Sequence, residues 1–160
     1  MLLSFCGGYS NPSSLHQKGQ AAAAKIEEAR AGIAAQIGAA PEEIFFTSGG
    51  TEADNWAVYS AAMHGASNGK RHIISSKIEH HAILNPLARL EKQGFEITLL
   101  DVAAYGTVPP AAVEQAIRKD TTLVTIMFAN NEIGTIQPIE EIGAICHRHG
   151  IPFHTDAVQA

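Results

Sequence analysis

Charge is sparse in this 160-residue chain. Asp, Glu, Lys and Arg make up 17% of it, and the balance is acidic, with 16 carboxylates against 11 basic residues and a net charge of −5. The basic residues are scattered rather than gathered in a stripe, so the sequence carries no nucleic-acid footprint. Cysteine is scarcer still. Cys6 and Cys146 are too few for a disulfide framework, which makes a reducing cytoplasm the expected compartment. No apolar run approaches the roughly 20 residues of a membrane span. The opening "MLLSFCGG" lacks a basic leader and is too short for a signal peptide. There is no HExxH and no paired cysteine, and "HRH" sits near a helix end, so no metal site is expected. GxGxxG and the Walker lysine are also missing, which disfavours dinucleotides and nucleoside triphosphates. What is present is 46% hydrophobic residues, enough for one ordinary core.

Those hydrophobic residues fall into an alternating pattern. "EIFFTS" (43–48), "HIISS" (72–76), "FEITLL" (95–100), "TLVTIMFA" (122–129) and "IPFHT" (151–155) read as buried strands, rich in Ile, Val, Phe and Thr and bounded by turn residues. Between them lie helical stretches. "HQKGQAAAAKIEEARAGIAAQIG" ends at Gly38 and "TEADNWAVYSAAMHG" at Gly65. Residues 87–93 precede Gly94, Pro109 and Pro110 open "PPAAVEQAIRKD", and a last helix runs from Pro138 to Gly150. The rhythm predicts an α/β fold: a mostly parallel sheet with helices on both faces, three layers in all.

Ligands on such sheets bind beyond the carboxyl ends of the strands, so the residues after each strand carry the functional information. "TSGGTEADN" places two glycines before a helix opened by Thr51, with Glu52 and Asp54 in its first turn. Free amides, the helix dipole and a hydroxyl make an anion site there, though a plain N-cap with turn glycines is the simpler alternative. "KIEHHAIL" puts His80 and His81 at a strand-to-helix junction, as stacking or acid–base groups or as a solvated helix start. "ANNEIGTIQP" offers Asn130 and Asn131, suited to a turn or to an amide reaching over the sheet end. "FHTDAVQA" delivers Asp156 and Gln159. A carboxylate at a buried strand end is costly unless it meets a cation or several donors.

An anion cradle, an aromatic stacker, an amide and a carboxylate together suit a flat heteroaromatic cation bearing a phosphate. Pyridoxal 5′-phosphate fits that description, with Asp156 keeping its ring nitrogen protonated, His80 on the ring face and Gln159 donating to the ring oxygen. Gly50, His80, Asn131 and Asp156 are then expected at one sheet edge. Thr51 and Asp156 are expected within a cofactor's span of each other, roughly 10 Å.

Five stretches, "NPSSLH", "FTSGGTEADN", "IEHHAIL", "ANNEIGTIQPI" and "FHTDAVQA", closely resemble the NifS/IscS-type cysteine desulfurases, which are class V, fold-type I pyridoxal-phosphate enzymes. The resemblance runs in order through essentially the whole chain. It implies that Gly50 and Thr51 contact the phosphate, that His80 stacks on the ring and that Asn131 lies near the cofactor oxygen and substrate. It also implies that Asp156 pairs with the pyridinium and Gln159 with the ring hydroxyl, while His81 stands beside the site without an assigned role. The implied activity takes sulfur from L-cysteine, leaving L-alanine and an enzyme persulfide that feeds iron–sulfur cluster and thiocofactor assembly. The implied partners are a sulfur acceptor or scaffold protein and a second copy in a homodimer.

One departure stands out. The family's Schiff-base lysine lies in a Ser-x-His-Lys segment shortly after the Asp-x-x-Gln strand, and the six lysines here, Lys18, Lys25, Lys70, Lys77, Lys92 and Lys119, all precede Asp156. Cys6 and Cys146 do not match the mobile-loop cysteine that accepts sulfur, and buried structural thiols are their expected identity. The expectation is therefore that residues 1–160 are part of the cofactor-binding large domain, inactive alone, without the rest of that domain or the C-terminal small domain. Selenocysteine lyase or another class V lyase or aminotransferase shares the same cofactor residues and remains an alternative. So does a non-catalytic remnant that binds the cofactor only.

Overall fold

The computed structural model describes residues 10–160, which divide into two compact units, one ending at Phe46 and the other spanning Thr47–Ala160. Cys6 lies outside the described residues. In the first unit the alanine-rich stretch forms helix α1, Gln17–Ile37. It is capped by His16, whose Nδ1 accepts from the Gly19 amide at 3.3 Å, and it ends at Gly38 with φ 70°. That left-handed conformation is where glycine is expected at a helix stop.

The stretch predicted as a first strand, residues 43–48, is not a strand. Pro41–Glu43 forms a 3₁₀ turn, and the following backbone is held by other means. The Ile44 amide donates to Pro41 O at 3.1 Å, and its carbonyl accepts from the Arg30 guanidinium. Arg30 also lies over the Phe46 ring at 5.2 Å. The apolar, β-prone composition misled here because a strand exists only where a neighbour completes its ladder.

In the second unit the remaining elements are α2 (Gly50–Ser67), β1 (His72–Ser76), α3 (His81–Glu91), β2 (Glu96–Leu100), α4 (Pro110–Ala116), β3 (Thr121–Thr125), α5 (Ile139–Arg148) and β4 (Phe153–His154). The strands form one fully parallel sheet in the order β2-β1-β3-β4. Side chains alternate across it, as the pleat requires. Ile73 and Leu123 face Val58 and Ala62 of α2 and Ile83, Leu87 and Leu90 of α3. Their neighbours Ile74 and Val124 face Val113 of α4 and Ile142 and Cys146 of α5. Each such buried Ile or Leu contributes about 1.5–3 kcal/mol, and the three-layer expectation holds. Cys146 is fully buried in this second core, and burial pushes its thiol up to about 11, which leaves it an inert packing group.

Two helix boundaries differ from the sequence reading, each for a local reason. Gly65 does not stop α2 but lies inside it, because a Cβ there would sit 1.8 Å from the Oγ1 of Thr122 on β3. Its glycine serves close helix–sheet approach rather than termination. α3 begins at His81, ahead of the predicted residue 87, and passes through Pro86. A proline cannot donate to the carbonyl four residues back. That carbonyl, Ala82 O, instead receives Asn55 Nδ2 from α2 at 3.3 Å. Among the described residues no helix is long and apolar enough to cross a membrane.

Candidate functional site

The carboxyl end of the sheet is assembled by backbone ladders that outlast the strands. Beyond β3, Ile126 N donates to His154 O at 3.1 Å and Phe128 N to Asp156 O at 2.8 Å. This brings the post-β3 loop alongside the residues after β4. The loop is anchored from below by Asn130, which is buried. Its Oδ1 accepts from the Glu132 and Ile133 amides and its Nδ2 donates to Ile78 O at 3.0 Å. The paired asparagines thus divide their work, since Asn130 builds the turn and Asn131 is left exposed on the pocket.

Helix α2 points its start at the same edge. Ser48 N and Oγ both donate to Glu52 Oε2, at 2.7 and 2.6 Å, and these bonds hold the Glu52 carboxyl below its ordinary range. The amides of the first turn have no intrahelical acceptor. Gly50 comes so close to the turn after β4 that a Cβ on it would meet Val158 Cγ2 at 2.7 Å. At the β1–α3 junction His80 is the N-cap of α3, with Nδ1 accepting from Ala82 N at 3.1 Å, and His81 packs edge-on against it at 6.1 Å.

These segments close around a cavity of about 220 Å³ lined by Gly50, Thr51, His80, Asn131, Asp156 and Gln159, the six residues singled out from the sequence. Thr51 and Asp156 therefore face one pocket. His81 does not line it, but faces an adjoining groove of about 760 Å³ between α2 and α3. The groove is larger, yet the buried acid and the helix start that could recognise a ligand converge on the smaller cavity.

The electrostatics of the cavity are unusual. Asp156 is only 8% exposed, and its Oδ1 accepts from the Val158 amide at 3.0 Å. Asp54 also lines the cavity and is 5% exposed. Burial, reinforced by repulsion from Asp156 and eased by His80, lifts its carboxyl to about 6. Behind them Glu79 is buried, accepting from Ser76 Oγ at 2.6 Å and Met127 N at 3.1 Å through Oε1, while Oε2 has no partner. Burial first, with Asp156 and Asp54 adding to it, pushes Glu79 up to about 7. His154 is Asp54's neighbour on β4. Its Nδ1 pairs with Thr125 Oγ1 at 2.9 Å, its Nε2 is 3.6 Å from Asp54 Oδ1, and burial lowers its basicity.

No Lys or Arg lines this cavity among the described residues, so two buried carboxylates face it without a fixed cation. A cationic ring with an anionic arm fits both ends, the acids on one side and the start of α2 on the other. Sequence reasoning missed the roles of Asp54 and Glu79. Asp54 was readable in principle, because Asp54, Val58, Ala62 and Gly65 form one buried stripe at helical spacing and an acid heads it. For Glu79 nothing in "KIEHH" signals an inward carboxylate.

Over residues 3–160 the chain matches the family described as Aminotransferase class-V. It is 55% identical over 152 residues to the cysteine desulfurase IscS of Methanosarcina thermophila, an alignment covering 95% of this chain and 37% of that protein. Among solved structures, a NifS-like protein superposes with a TM-score of 0.93 at 38% identity, covering 99% of this chain and 44% of that one. SspA in complex with cysteine superposes with a TM-score of 0.90 at 45% identity, covering 95% and 44%. The chain spans about two fifths of the length of the curated relatives it matches, 42% and 37% for two of them.

Proposed function

The chain belongs to the aminotransferase class-V family, and from that premise we propose that its cavity holds pyridoxal 5′-phosphate in a cysteine desulfurase. One observation carries the reading: four separate segments bring six residues to a single cavity whose buried acids lack a cationic side chain. The relatives are named as cysteine desulfurases, and a structural neighbour was solved with cysteine bound, which favours L-cysteine over selenocysteine as substrate.

In this proposal the first-turn amides of α2 and the Thr51 hydroxyl bind the phosphate. His80 covers the ring face from the N-cap of α3, held there by the Ala82 amide. Asp156, oriented by the Val158 amide, holds a proton on the ring nitrogen. Asn131 and Gln159 reach the ring oxygen, and Asn131 also meets the substrate. When bound, the cofactor supplies an electron sink for the reacting substrate. The whole protein would convert L-cysteine to L-alanine and pass the sulfur, as a persulfide, to an acceptor for iron–sulfur cluster and thiocofactor assembly. It would work as a cytoplasmic homodimer. Cys146, buried in the second core, is not the sulfur-accepting thiol. Residues 1–160 are assigned part of the cofactor-binding large domain, and with no lysine at the cavity they would not turn over by themselves.

The test is turnover by the full-length protein. With pyridoxal 5′-phosphate it should form alanine from L-cysteine, and Asp156→Ala should abolish most of that activity. A wild-type protein that binds no pyridoxal 5′-phosphate would overturn the reading.

A further inference from the structure

The buried stripe of α2 runs Asp54, Val58, Ala62, Gly65, and every position but the first is apolar or glycine. A carboxylate at the head of such a stripe needs a reason, because ionising it away from water without a partner is costly. No hydrogen-bond donor reaches Asp54 among the described residues. His154 Nε2 stands 3.6 Å from Asp54 Oδ1, and burial favours that ring in its neutral form. Asp54 is nonetheless aimed into the cavity, where Asp156 is the other carboxylate. A buried acid that accepts no hydrogen bond and lines a cavity with a second acid is arranged to face a cation.

We propose that Asp54 is a second anion for the ring cation, a specificity-determining residue beside Asp156, and that it gives up a proton to solvent as that cation binds. The inference rests on the reading of the cavity as a pyridinium site. Before binding, the Asp54 carboxyl stands at about 6, so near that pH it is half protonated. A positive ring beside Asp54 favours its ionised form, and the displaced proton leaves for the buffer. The titratable groups facing Asp54 are Asp156 after β4, His154 on β4, and His80 and Glu79 at the β1–α3 junction. The ring's charge reaches these neighbours too, so only the difference between wild type and a neutral Asp54 variant reports on Asp54 itself. With two anions in place, the cavity should discriminate against neutral ring analogues more strongly than Asp156 alone would allow.

The experiment uses the cofactor-free, full-length protein and pyridoxamine 5′-phosphate, which cannot condense with an amine. Calorimetry at pH 6 in two non-phosphate buffers of different ionisation enthalpy counts the protons exchanged. Wild type should release about half a proton more than Asp54→Asn. At pH 7.5 the variant should bind about tenfold more weakly. A second measurement needs no variant: ¹³C-labelled aspartate carboxyls in wild type should include one titrating near 6 that moves to lower pH on adding the probe. Equal proton counts and equal affinities in wild type and Asp54→Asn overturn the inference, as does a carboxyl titration that the probe leaves unmoved. Asp156→Asn separates the two levels of argument. If it weakens the probe while Asp54→Asn does not, the pyridinium site stands and the role of Asp54 falls. If wild type fails to bind the probe at all, both fall.

Discussion

Replacing Glu79 by Gln should flatten the dependence of stability on pH. Glu79 is 5% exposed, with one oxygen bonded to Ser76 and Met127 and the other unpartnered. Its carboxyl stands at about 7 in the fold against an ordinary 4.5. A raised carboxyl means the folded state holds its proton more tightly than the unfolded chain does. Its contribution is therefore most favourable below 4.5, declines as pH rises through the interval, and is fully lost above 7. At about 1.4 kcal/mol per pH unit, the loss amounts to about 3 kcal/mol. The Gln amide keeps an oxygen for Ser76 and Met127 but carries no titration. Any constant cost of fitting its nitrogen cancels when wild type and variant are compared at two pH values. Denaturant unfolding of the cofactor-free, full-length protein at pH 4.5 and pH 8 supplies the comparison. The variant should gain about 3 kcal/mol on wild type between the two. A gap that stays the same at both values would refute the reasoning, and so would one that widens toward acid.

Further outcomes test other parts of the structure. Asp156→Ala should release the cofactor and lower activity steeply, since losing one partner of a buried charge pair costs ~3–5 kcal/mol; cofactor titration by absorbance reads it. Gly65→Ala should destabilise the fold by about 3 kcal/mol or more, because its Cβ would overlap Thr122, and a Gly65→Ala/Thr122→Ala double variant should recover part of the loss in thermal unfolding. His80→Asn should weaken cofactor binding while helix content by circular dichroism stays level, because Asn preserves the N-cap function that His80 serves. Borohydride reduction with pyridoxal 5′-phosphate should leave Lys18, Lys25, Lys70, Lys77, Lys92 and Lys119 without stoichiometric label on mass mapping, since none lines the cavity.

What the sequence conveyed best was periodicity and punctuation. His72–Ser76 reads as a buried strand and is one residue for residue, because Ile73 and Ile74 each face a different core between two layers of helix. That His80, Asn131 and Asp156 share one cavity was legible because parallel sheets place their ligands at one edge, so position after a strand stood in for geometry. Tertiary detail was not legible. Whether residues 43–48 pair depends on a neighbour that composition does not reveal, and Arg30 takes the Ile44 carbonyl instead. Gly65 looked like a stop because its steric reason, Thr122, is far away in sequence. The early start of α3, through Pro86, was hidden because the donor that rescues Ala82 O belongs to another helix. Glu79 escaped for the same reason, since its meaning lies in what surrounds it in space, whereas Asp54 left a trace at the head of an apolar helical stripe.

The central claim is that the buried acid after β4 and the start of α2 grip opposite ends of one cofactor. A crystal structure of the full-length protein with pyridoxal 5′-phosphate tests it most directly. It should place the ring nitrogen within hydrogen-bond distance of the Asp156 carboxylate, the ring against His80, and the phosphate at the amides of Gly50 and Thr51. A cofactor bound elsewhere, or one lying in this cavity with its phosphate toward Asp156, would contradict the account.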